Sequence, residues 1–83
     1  MNFYRDYLNR LMGNERGEMS DKHLTILVHL WLDERNLRAT TAKKWQRHES
    51  KGNVRSYWWN YFRVNGNWWG FNVYDDEKVE RLV

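Results

Sequence analysis

The chain of 83 residues contains no cysteine and no proline. Without cysteine there can be no disulfide, no thiolate metal site and no cysteine nucleophile, and a reducing compartment is the expected setting. There is also no internal repeat and no low-complexity segment. Nothing therefore marks a linker, and a single domain over residues 1–83 is expected. Long apolar runs are missing too. Ile26-Leu27-Val28 and Leu30-Trp31-Leu32 flank His29, and together they fall far short of the ~20 residues that span a bilayer. The opening stretch, MNFYRDYLNRLMGNERGE, scatters charges where a signal peptide needs an apolar core. No membrane contact is expected, and a cytoplasmic location is.

Catalytic patterns are equally scarce. The chain has no P-loop and no GxGxxG, and its histidines, His23, His29 and His48, match no HExxH-type spacing. The adjacent acids Asp75-Asp76 read as a helix cap or as solvating charge. No enzymatic activity, cofactor or metal is expected.

What the chain does hold is aromatic and basic. Six Trp, five Tyr and three Phe each bring about 150–250 Å² of surface to bury. That suits a domain too small to build a thick core. Six Trp exceed what such a core needs, so some should stand at the surface, where Trp usually binds something. The net charge is +3 and the pI about 9.4, and the charge is segregated. Between Asn36 and Tyr74, Arg38, Lys43, Lys44, Arg47, Lys51, Arg55 and Arg63 face the single acid Glu49. A basic middle between near-neutral or acidic ends suggests an anionic partner.

Periodicity divides the chain into elements. Phe3, Tyr7 and Leu11 follow a helical row over Asn2–Met12, closed by Gly13. Asp21–Glu34 reads as a helix capped by Ser20, although the alternation across residues 24–32 also fits a third strand. Thr40–Lys51 reads as a helix capped by Thr40 or Thr41 and ended by Gly52, with Ala42 and Trp45 inward. Val54–Tyr74 reads as a β-hairpin turning at Asn65-Gly66, where a type I′ turn needs φ > 0 twice. Its two-residue turn pairs Val64 with Asn67, Phe62 with Trp69, Asn60 with Phe71 and Trp58 with Val73 on a core face. The tail Asp75–Val83 fits a short helix with Val79 and Leu82 inward. The expected fold is therefore α+β, two to three helices packed on an antiparallel hairpin with a short C-terminal helix. This element order resembles the winged-helix architecture.

Two features carry function. On a helix over 40–51, Lys44, Arg47 and Lys51 recur at i, i+3, i+7 with Lys43 beside them. That spacing presents cations to successive phosphates, and Gln46 is the residue able to read a base edge. On the outer hairpin face, Tyr57, Trp59, Tyr61, Trp68 and Tyr74 alternate with core residues, with Arg55 and Arg63 among them. Exposed rings with interleaved cations are what a base-stacking platform requires. The expectation is a non-enzymatic module that binds nucleic acid, duplex or single-stranded, through helix and hairpin. The alternative is a protein target bound through the same rings, since Trp, Tyr and Arg dominate binding hot spots. A small inhibitor or adaptor of that type, Cys-free and Trp-rich, is similar to small phage proteins that act on host machinery. The aromatic face also suits a homodimer seam.

Overall fold

The computed structural model describes residues 19–82. The helix expected over Asn2–Met12 lies outside the described residues. Within them, one helix, α1 (Asp21–Asp33), precedes five strands: β1 (Ala39–Ala42), β2 (Gln46–His48), β3 (Tyr57–Val64), β4 (Asn67–Tyr74) and β5 (Val79–Leu82). Every strand pairing is antiparallel. β3 and β4 are central, β5 flanks β4, and β1 and β2 both pair with β3.

The hairpin of β3 and β4 forms at the expected turn and in the expected register, from Val64↔Asn67 at the turn to Tyr57↔Tyr74 at the open end. Asn65 and Gly66 both take left-handed backbone, with φ of 50° and 80°. Alternation along the strands then separates two faces. Phe62, Val64, Phe71 and Val73 point to one side and are fully buried. α1 packs there. Trp31 meets Phe71 edge-on at 5.3 Å, and His29 meets Phe62 at 6.0 Å. Leu24, Val28 and Leu32 complete this core at 0% exposure, while Ile26, Leu27 and Leu30 are buried as well. The apolar surface of α1 therefore extends over more than one stripe, as in a helix buried on several sides.

α1 settles the ambiguity over residues 24–32 in favour of the helix. Ser20 accepts a hydrogen bond from the His23 N–H at 3.1 Å, satisfying one of the orphan donors of the first turn. Asp21 complements the dipole there. At the other end Asn36 adopts φ 58°. The Leu37 N–H then donates to Leu32 O at 2.9 Å and the Asn36 N–H to Asp33 O at 3.0 Å, which is a Schellman closure.

The rest of the expected fold is overturned. Two to three helices on a hairpin, in winged-helix order, give way to a single described helix on a five-stranded sheet. The helix expected over 40–51 is replaced by β1, β2, the connection between them and the start of the connection to β3. Ala42 and Trp45 are its only apolar residues, too few to bury a helical face. Ala39–Ala42 and Gln46–His48 pair with β3 instead, Thr40-Thr41 suits the extended state, and Ala42, expected inward, is exposed. Trp45 does turn inward, meeting Phe62 at 5.8 Å and donating from its indole N–H to Thr25 Oγ1 at 3.0 Å. The short C-terminal helix is likewise replaced by β5. Val79 pairs with Val73 on the core face and Leu82 with Gly70 on the other, so these two residues diverge rather than share one side. A two-stranded ribbon alone is marginal in water, and the added strands complete it.

Candidate functional site

The face of the sheet turned away from α1 carries the aromatic residues expected on it. Its rows follow from the pairings. Nearest the turn lie Thr41, Arg63 and Trp68. Next come Tyr61, Gly70 and Leu82, with Lys43 beside them because its N–H donates to Tyr61 O at 3.0 Å. The third row holds Gln46, Trp59, Asn72 and Glu80, and the fourth His48, Tyr57 and Tyr74.

Trp68 and Tyr61 are each 41% exposed, and Trp59, Tyr57 and Tyr74 are half-buried. The glycine in the second row explains how the rings sit. A Cβ at Gly70 would lie 3.3 Å from Tyr61 Cε1 and 3.2 Å from Leu82 Cδ1. The Tyr61 ring therefore leans over a bare backbone, a cross-strand arrangement that protects a strand glycine. Trp59 meets Tyr61 edge-on at 5.8 Å.

Cations gather on the Trp68 side. The Lys43 ammonium lies 4.7 Å from the Trp68 ring centre and the Arg63 guanidinium 5.4 Å from it. Ring quadrupole and cation attract at these distances. Among the described residues no carboxylate belongs to the first two rows. The opposite end differs. His48 stacks on Tyr57 at 4.6 Å, and Tyr57 meets Tyr74 at 5.5 Å. Arg55 covers Tyr74 at 4.3 Å but is paired with Asp76 at 2.9 Å. The Lys78 backbone N–H, then Arg55, hold the Asp76 carboxyl below its ordinary range. The Tyr74 hydroxyl donates to Glu80 Oε1 at 2.9 Å, which pushes its own ionisation up.

The cations expected on a basic helix do not converge. Lys43 joins the outer face, whereas Lys44 is exposed in the connection between β1 and β2. Lys51 is exposed beside Gly52 in the connection to β3, and Gln46 is exposed opposite Trp59. Arg47 pairs opposite Trp58 and covers that ring at 5.1 Å. Its guanidinium donates to both oxygens of Asp75, at 2.9 and 3.2 Å, and to Glu49 at 3.0 Å. The Asp75 bond, above all, drives the Arg47 pKa still further up. An arginine already held by two carboxylates is poorly placed to neutralise a phosphate. Asp75, expected as a helix cap, is instead this arginine's partner. His48, Glu80 and Leu82 are outer-face residues that sequence reasoning missed. Only the alternation of Val79-Glu80-Arg81-Leu82 hinted at the strand that brings two of them there.

Among the described residues no group of His, Asp or Glu is arranged to hold a metal ion, and no helix is long and apolar enough to cross a membrane. What the face offers chemically is stacking surface and a local pair of cations. Comparison with protein-family models, curated proteins and solved structures finds no match to this chain.

Proposed function

We propose that the protein is a non-enzymatic module that binds single-stranded nucleic acid on the outer face of its sheet. One observation carries the reading: Trp68 stands exposed with Lys43 and Arg63 against its ring, in rows to which no described residue adds a carboxylate. Every base has a π-face, so an exposed indole binds bases with little sequence preference, and neighbouring cations hold the phosphates that follow. Duplex readout by a helix in the major groove is not part of this reading, because residues 40–51 form strands and a connection. A duplex also hides its base faces in the stack, leaving Trp68 nothing to stack on.

The test is titration of the tryptophan fluorescence with mixed-sequence single strands and with the matching duplex at low salt. Single strands should bind and quench, the duplex should bind far more weakly, and affinity should fall as salt rises. Equal affinity for both forms, or none for either, would sink the proposal. Leu82, exposed beside Tyr61 and Gly70, favours a second reading, a protein partner seated on the same rings. An aliphatic side chain adds little to base stacking but much to a hot spot. Salt separates the readings. Phosphate contacts give a linear decline of log K with log salt, whereas a hot spot driven by ring burial holds its affinity.

A further inference from the structure

Resting on the single-strand reading, we infer that the outer face takes a segment of three nucleotides, seated toward the Asn65-Gly66 end of the sheet and limited by Glu80. Three rings follow one another there, Trp68 in the first row, Tyr61 in the second and Trp59 in the third. Successive rows on one face stand about 6.6–6.8 Å apart, room for a base at each. Two cations serve these rows: Arg63 leaves the backbone in the first and Lys43 in the second, and both charged groups reach the Trp68 ring, at 5.4 and 4.7 Å. Three bases are joined by two phosphodiesters. Three rings and two cations therefore complement a trinucleotide without a terminal phosphate.

The next phosphate meets the opposite charge. Glu80 stands in the row of Trp59, two strands across, about 10 Å away. Its carboxylate is held by the Tyr74 hydroxyl at 2.9 Å and the Asn72 amide at 3.4 Å, so it cannot swing aside without losing both. The cation beyond it, Arg55, is already engaged by Asp76 at 2.9 Å. Among the described residues a longer strand gains no further cation on this face that is not already engaged by a carboxylate, and it is repelled as it passes the third row.

The experiment uses the full chain and deoxythymidine oligomers without terminal phosphates, from the nucleoside through the trinucleotide to an octanucleotide, across a salt series. Affinity should climb steeply up to the trinucleotide and beyond it rise only with the number of registers an oligomer offers. The slope of log K against log salt should be about −1.4 for trinucleotide and octanucleotide alike, twice the −0.7 of one phosphate on a single strand. Glu80→Lys should steepen the octanucleotide slope to about −2.1 and leave the trinucleotide unchanged. Glu80→Gln, which keeps an acceptor for Tyr74, should tighten the octanucleotide alone. An octanucleotide slope in the unaltered protein at least twice that of the trinucleotide would overturn the three-nucleotide limit while leaving single-strand binding intact. So would indifference of the octanucleotide to both Glu80 variants. Failure of the folded protein to bind any oligomer at low salt would instead overturn the underlying single-strand reading.

Discussion

Asn60 is a polar residue at the centre of an apolar face, 1% exposed, and its amide serves the backbone. Its Nδ2 donates to Lys43 O at 3.3 Å, and its Oδ1 accepts from the Tyr61 N–H at 2.7 Å. Both groups lie where the chain leaves the edge of β3 between β1 and β2, so the side chain replaces missing ladder bonds. Asn60→Leu would keep the γ-branched shape and strand both groups. It should lower stability by about 1–3 kcal/mol for each one left unpaired, read as a shift of the denaturant midpoint at constant m. An unchanged midpoint would mean that water satisfies them. His29 gives a second residue-level test. Burial lowers its pKa from the ordinary 6.5, so folding favours the neutral ring. The associated stability is complete above 6.5 and is lost as pH falls below that value toward the folded pKa. The melting temperature should therefore decline as pH drops from about 7 to 6, and His29→Gln should flatten that decline. Identical slopes in the two proteins would refute the assignment. Which face each hairpin residue occupies was legible from alternation alone. The engagement of Arg47 was not, because its partner Asp75 lies far along the chain and meets it only once β2 and the end of β4 are in place.

The strongest local signals gave the elements that formed as expected. Asn65-Gly66 dictates the turn between β3 and β4, and Ser20 begins α1. Gly66→Ala tests the turn cleanly. Among the described residues a Cβ there meets nothing within 4 Å, while φ is +80°. The cost is thus left-handed backbone alone, about 1–2 kcal/mol, measurable by thermal or denaturant unfolding. A neutral result would place the turn in another geometry. β1, β2 and β5 were not legible, for a shared reason. They are short strands at the flanks of the sheet, β1 and β5 mostly exposed and β2 half-buried, and their pairing is decided by the unpaired edges of β3 and β4 rather than by their own composition. Glu77 illustrates the difficulty. It takes φ 72° in the turn between β4 and β5, a conformation that Gly or Asn would have announced and Glu does not. Its carboxylate reaches His23 at 2.7 Å and ties this turn to the start of α1.

Taken together, the elements divide the surface. α1 covers one side of the sheet, and among the described residues no helix or strand covers the other. Along that open side, charge runs from Lys43 and Arg63 at one end to Glu80 and Asp76 at the other. The excess of basic residues between Asn36 and Tyr74 pointed to an anionic partner, and the rings to a stacking surface. A helix would have collected Lys44, Arg47 and Lys51 on one side, and strands disperse them. What remains is a compact centre on Trp68. Trp68→Ala is the most direct measurement, made on a mixed-sequence single strand at low salt with circular dichroism to confirm the fold. Because Trp68 is exposed, stability should hold while affinity falls by the equivalent of about 1–3 kcal/mol, one lost base stack. A folded Trp68→Ala protein that binds the strand as tightly as the unaltered protein would contradict the proposal that this face is a base-stacking site.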